Sequence, residues 1–405
     1  MPLPEKTCIL PWISIETSPT GTARPCCLAK DEITYYDDLG IEQKYNLNTH
    51  TLEEIYHSRY MQILRRDFLY GHKPATCQRC WNEEAAGRVS KRMNSRIRLK
   101  EYYDNVDWNN LNPDQLWFID LKLGNICNLK CRICGSWSSS QFATEELKFV
   151  QDNKKQSFHY EMLKDGAWPR ENSQFWAELN SLLLDIRYLE FTGGEPFMIK
   201  EHFDLLQTLV NQGVAGQVEI HYNTNGTQYP AHAEAIWRHF KHVEIAFSVD
   251  DVDQRFEYQR TNAVWTEVID NIKLFKQMRE RNPNITLQVC CTVNVFNVLY
   301  LADVANWIHK QQFNFVYWNM LHDAPWLSIA HLPGSAKKQI AEHLNTQEFP
   351  AEYQEEIQKI VEFMNIGTDT DGKELIENIK QLDARRNESL KTVAPELAKI
   401  INYEN

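Results

Sequence analysis

Between residues 116 and 320, apolar strand-like runs alternate with longer amphipathic segments, and this alternation limits the fold more than any other feature of the chain. The runs are LWFIDLKL (116–123), IRYLEF (186–191), QVEIHY (217–222), HVEIAFSV (242–249), ITLQVCCTV (285–293) and FNFVYWNM (313–320). Segments such as EHFDLLQTLVNQG (201–213) and VWTEVIDNIKLFKQMRE (264–280) carry apolar residues at helical spacing. Strand–helix alternation repeated in this way predicts parallel βα units. Six units over about 200 residues predict an α/β fold built on a partial (β/α)6 TIM-type barrel, since eight need roughly 250. Chemistry in such barrels sits just beyond the C-terminal ends of the strands.

Those strand ends carry distinctive residues. GNICNLKCRICG follows the first run, TGGEP (192–196) the second and NTNG (223–226) the third, and SVDD (248–251) closes the fourth. Four polar or thiol-rich motifs therefore meet at one predicted rim. Cys127, Cys131 and Cys134 are spaced C-x3-C-x2-C. Thiolates are soft ligands that suit zinc, Cu(I) or iron–sulfur clusters. A closed zinc site wants a fourth ligand nearby, and none follows Cys134. A cubane held by three thiolates leaves one iron without a protein ligand.

Composition narrows the function classes. The chain has 405 residues, 43% hydrophobic, and a net charge of −12. It can bury a substantial core, and its acidity disfavours a backbone-driven nucleic-acid binder. The opening MPLPEKTCILPW lacks a signal pattern, and no apolar run reaches membrane-spanning length. The expected location is cytoplasmic, with no membrane partner. Ten clustered cysteines then point to metal or redox chemistry rather than a disulfide framework.

The cysteine spacing, with Gly193-Gly194-Glu195-Pro196 after the second strand, resembles the radical S-adenosylmethionine (radical SAM) superfamily over roughly residues 115–320. The resemblance implies that Cys127, Cys131 and Cys134 hold a [4Fe–4S] cluster whose free iron binds SAM. It also implies that SAM is cleaved reductively to a 5′-deoxyadenosyl radical, which abstracts hydrogen from an unactivated carbon. Gly193, Gly194, Glu195 and Pro196 match the turn that lines the SAM amino group. Ser248 and Asp250 match polar positions that contact ribose or carboxylate, and Asn225 lies in the same region. Asn294 matches a position near adenine or ribose, and Arg260 is a candidate for the SAM carboxylate, or else a solvated helix-end charge. The family's aromatic residue before the third cysteine is Ile133 here.

Upstream, Cys8, Gly21 and Cys26 are spaced C-x12-G-x4-C, and Cys77 and Cys80 follow as C-x2-C. This pattern is similar to the SPASM/twitch auxiliary-cluster domains that usually follow the radical SAM barrel, although here it precedes it. It implies a second, auxiliary [4Fe–4S] cluster on Cys8, Cys26, Cys77 and Cys80. The glycine spacing favours Cys26 over Cys27, and a four-cysteine zinc site is the competing reading. The segment QLDARRNESLKTVAPELAKII is similar to radical SAM proteins with N-terminal twitch domains from phage and bacterial genomes. The expected organisation is a small iron–sulfur domain at 1–112, the barrel at 113–330 and a helical C-terminal extension at 331–405.

His322 and Asp323, after the sixth run, are the candidate acid–base or substrate-binding residues. Cys290 and Cys291 are adjacent within a strand, so only one faces inward. The expected activity is oxidation, crosslinking or epimerisation of a peptide or small metabolite, with a flavodoxin- or ferredoxin-type reductant. Tailoring of a nucleotide or DNA base is the alternative, which the acidic charge disfavours. A non-catalytic iron–sulfur or zinc scaffold is the alternative from another class.

Overall fold

A computed structural model describes residues 3–403 apart from 86, 115, 322 and 323. It is a mixed α/β protein whose parallel strands are joined by helices, with a helical C-terminal region. The chain divides into two compact units. One runs to Cys127 and includes Ser136–Tyr222 and Pro230–Val243; the other is Asn128–Gly135, Asn223–Tyr229 and the chain from Glu244 onward. Among the described residues no helix is long and apolar enough to cross a membrane.

The first unit contains β1 (Ser14–Thr17), β2 (Ala23–Arg24), β3 (Thr34–Tyr36), β4 (Glu42–Lys44), β5 (Phe118–Lys122), β6 (Tyr188–Thr192) and most of β7 (Glu219–Thr224). Their order is β2-β1-β5-β6-β7, with β3 and β4 as a separate antiparallel pair. Strands β1, β5, β6 and β7 pair in parallel, and β2 turns back antiparallel on β1. Period-two alternation sends Ile119, Leu121, Leu189, Phe191 and Ile220 to one face, where all are fully buried. Helix Glu201–Asn211 supplies buried Phe203, Leu205, Leu206 and Leu209. The Phe191 ring lies 4.8 Å from His202 and 5.1 Å from Tyr222. Each such side chain contributes about 1.5–3 kcal/mol of burial.

Strand β1 was not among the runs expected from the sequence. ISIET is short and carries a glutamate, so it reads as a turn-flanked polar stretch. Glu16 is nevertheless fully buried, held by cations described below.

In the second unit β8 (His242–Ser248), whose first two residues belong to the first unit, neighbours β9 (Ile285–Val293), and β9 neighbours β10 (Phe315–Met320). Strands β9 and β10 are parallel, from Phe315 opposite Gln288 to Met320 opposite Val293. Helix Trp265–Arg281 buries Trp265, Val268, Ile272, Phe275 and Met278, a stripe at three- and four-residue spacing. The C-terminal helices Gln354–Ile366 and Lys373–Arg386 bury Ile357, Ile360, Val361 and Met364, and Leu375, Ile379 and Leu382. Asn387, in the left-handed conformation with φ 54°, ends the second of these helices.

Candidate cofactor-binding sites

In the first unit, Cys127 follows a backbone held by the glycine turn after β6. Gly194 has φ +41°, and a Cβ there would lie 2.3 Å from the Ile126 carbonyl oxygen, so only glycine fits. The Glu195 N–H donates to that same carbonyl at 2.8 Å. Glu195 is fully buried and its Oε1 accepts from the Phe197 N–H at 3.2 Å, which caps the turn Pro196–Met198. The turn is thus pinned against the residue preceding Cys127.

Four thiols of this unit surround a single cavity. Cys8 stands before the helical turn Leu10–Ile13, Cys26 follows β2, and Cys77 and Cys80 lie on the turn Ala75–Cys77 and the helix Gln78–Ala85. All four line the cavity, together with Phe68, Lys91 and Arg92. The turn between β1 and β2, upstream of Cys26, depends on Gly21, which has φ +83° and donates its N–H to Ser18 O at 3.1 Å. Burial, then Cys26, Cys77 and Cys80, push the Cys8 thiol well up. Burial raises Cys26 to about 11, against the lowering effect of Lys91. Such mutually opposed thiols are satisfied by a bound cation or cluster, which reverses the local electrostatics. Among the described residues no three or more His, Cys, Asp or Glu side chains are placed to hold a single metal ion. Cys27 does not line the cavity and instead takes the Lys91 Nζ at 2.8 Å.

The same unit holds a row of ionisable residues that crosses four neighbouring strands. Glu16, Asp120, Glu190 and His221 occupy one register level on β1, β5, β6 and β7. Lys122 and Arg24 pair with Glu16, and Lys91 pairs with Glu190. The available signal was an ionisable residue inside each of four short strands, SIET, FIDLK, YLEFT and EIHYNT.

In the second unit, the loop bearing Cys131 and Cys134 is tied down at Arg132. The Arg132 guanidinium is fully buried and sits 3.7 Å over the Tyr258 ring. It donates to Asp383 Oδ1 at 2.6 Å, to Glu388 Oε2 at 2.5 Å and to Tyr258 O at 2.9 Å. Asp383 also accepts from the Tyr258 and Tyr403 hydroxyls and from the Leu390 N–H. The loop backbone is held too, by Lys130 N–H to Thr261 O and Arg132 N–H to Gln259 O. Burial raises both thiols, Cys134 to about 12, and Arg260 offsets part of the rise at Cys131.

Arg260 is engaged rather than solvated. Its Nη2 lies 2.7 Å from the fully buried Asp250, and its Nη1 is 3.9 Å from Cys131 Sγ. Asp250 Oδ1 accepts from the Thr292 N–H at 2.8 Å. Asn294 donates to Gln259 Oε1 and Thr292 O, and its Oδ1 accepts from the Phe296 N–H. Asn225 donates to Asn128 Oδ1 and accepts from Thr227. Ser248 ends β8, half-buried. Cys291 is the fully buried member of the Cys290–Cys291 pair. His322 and Asp323 lie outside the described residues.

A family model for the radical SAM superfamily matches residues 121–290, and one for an iron–sulfur cluster-binding domain (SPASM) matches residues 8–81. No curated protein sequence matches the chain. Solved structures with some likeness include native anSMEcpe with bound AdoMet, at 16% identity, covering 51% of each chain with a TM-score of 0.33. Native anSMEcpe with bound AdoMet and the Kp18Cys peptide gives 15% identity over 69% of this chain and 66% of that one, with a TM-score of 0.35. SuiB from Streptococcus suis gives 11% identity over 78% of this chain and 68% of that one, with a TM-score of 0.34. The chain spans about half the length of the first of these structures.

Proposed function

The chain is a radical SAM superfamily protein with an iron–sulfur cluster-binding domain ahead of its radical SAM domain, and from that premise we propose that it is an enzyme acting on a peptide or small metabolite by oxidation, crosslinking or epimerisation. Cys127, Cys131 and Cys134 would hold the [4Fe–4S] cluster, and Cys8, Cys26, Cys77 and Cys80 the auxiliary one. The donor chemistry fits: thiols are soft ligands, and Cys8, Cys26, Cys77 and Cys80 line one cavity. Held by these three cysteines, such a cluster would supply the one electron that cleaves SAM to methionine and a 5′-deoxyadenosyl radical able to take hydrogen from an unactivated carbon.

The observation that carries this reading is the glycine turn at Gly193–Gly194, whose backbone approaches the residue before Cys127 closely enough to exclude any side chain. Gly193 and Gly194 would let the SAM amino group come near the main chain, beside Glu195 and Pro196. Arg260 would stabilise charge at Cys131, with Asp250 fixing its orientation. Ser248, Asn225 and Asn294 would shape the polar wall around the nucleoside. Lys91 would place a positive charge beside the four-thiol site. A flavodoxin- or ferredoxin-type protein is the proposed electron donor.

Metal and sulfide analysis of anaerobically reconstituted protein tests the assignment. Two cubanes predict about eight irons and eight sulfides per chain. One cubane with one zinc would overturn the auxiliary-cluster assignment.

A further inference from the structure

The ionisable row of the first unit is built unlike a core. Alternation places Glu16, Asp120, Glu190 and His221 on the face opposite fully buried Ile15, Ile119, Leu189 and Ile220. Below it, toward the strand starts, Phe118 and Tyr188 pack with ring centroids 4.7 Å apart. Above it, Lys122 and Thr192 occupy the next level on the same face. The carboxylates are buried, Glu16 at 0% and Asp120 at 2% exposure, while the side chains of Lys91, Arg24 and Glu190 keep some access to solvent.

Burying this many charges is expensive unless each is matched. Glu16 has Lys122 and Arg24, and Glu190 has Lys91, which also bonds Cys27. Asp120 has no cation bonded to it. Its Oδ1 accepts from Thr192 Oγ1 at 3.1 Å, and its buried Oδ2 has no hydrogen-bond partner among the described residues. A buried carboxylate oxygen without a donor is uncommon in native proteins and leaves Oδ2 open to a donor from a ligand or an ordered water.

We propose that the row is a substrate-recognition site whose open acceptor, Asp120 Oδ2, takes an uncharged N–H or O–H donor. The charge balance selects an uncharged group. Three carboxylates already face three bonded cations, so an ammonium would leave a net buried charge, whereas an amide or hydroxyl would not. Burial, then Glu190 and Glu16, hold the Asp120 carboxyl up at about 7, so above that pH Asp120 is ionised, the three carboxylates balance the three cations and Oδ2 is an acceptor. The proposal rests on the radical SAM reading and narrows what that enzyme's substrate presents.

Saturation-transfer NMR on the reconstituted full chain tests it with acetamide, ethylene glycol and ethylammonium. Acetamide or ethylene glycol should bind, and Asp120→Asn should weaken that binding roughly tenfold, the worth of one hydrogen bond to a charged group. The stronger of the two neutral probes identifies the donor as amide or hydroxyl. Lys122→Met removes a cation, so it should let ethylammonium bind where the wild type does not. This second variant decides the matter if Asp120→Asn fails to fold. Unchanged binding of both neutral probes in a folded Asp120→Asn, or tighter binding of ethylammonium than of either by the wild type, would overturn the proposal. SAM cleavage, measured on the same samples, reports separately on the radical SAM reading, because probe binding does not require it.

Discussion

Arg132 Nη2 lies 2.6 Å from Asp383 Oδ1, joining the loop that carries Cys131 and Cys134 to the helix Lys373–Arg386. The two side chains are almost completely buried, and Glu388 adds a second carboxylate at 2.5 Å from the same guanidinium nitrogen. Removing one member of a buried ion pair leaves the other uncompensated, at about 3–5 kcal/mol. Arg132→Met, which leaves Asp383 buried without its cation, should therefore lower stability in denaturant unfolding by that amount and reduce iron at the three-cysteine site. Arg132→Lys should not restore it, because an ammonium cannot bridge Asp383 and Glu388 while stacking on Tyr258.

The two adjacent cysteines of the N-terminal segment should separate cleanly. Cys26 lines the cavity shared with Cys8, Cys77 and Cys80, whereas Cys27 faces Lys91. Cys26→Ala should cost about four irons per chain, and Cys27→Ala none, as counted by colorimetric iron analysis.

Gly194 offers a backbone test. Alanine there must adopt φ +41° and meet the Ile126 carbonyl at 2.3 Å. Gly194→Ala should destabilise the protein by at least about 1–3 kcal/mol and weaken SAM binding measured by calorimetry.

Asp120 predicts a pH dependence. Its folded-state pKa is raised to about 7, above the ordinary carboxylate value of 3.8. The folded state then holds a proton that the unfolded chain has released, so stability falls as pH rises from about 4 to about 7. Infrared spectra should show a protonated carboxyl band that disappears on crossing about pH 7 and is missing from Asp120→Asn. The pH slope of stability in that window should flatten in the same variant.

The βα alternation was legible because β-branched and aromatic runs such as ITLQVCCTV and VEIAFSV differ so plainly in period from VWTEVIDNIKLFKQMRE. The four-cysteine group was legible because its spacing is similar to a known domain pattern, and the fold brings those four thiols around one cavity. Strand β1 was not, because its pairing partner β5 lies about a hundred residues later and its Glu16 looks out of place until Lys122 and Arg24 are seen beside it. The partners of Arg260 and Arg132 were hidden for related reasons. Asp250 lies ten residues from Arg260, and Asp383 lies 251 residues from Arg132. No local pattern links such pairs; only the folded chain brings them together.

The most direct measurement is the product of SAM cleavage. Anaerobically reconstituted protein, given SAM and dithionite and assayed by chromatography, should release 5′-deoxyadenosine, and Cys131→Ala should release none while its four-cysteine site keeps its iron. Fully loaded wild-type protein that forms no 5′-deoxyadenosine, with peptide and small-molecule substrates supplied, would contradict the account.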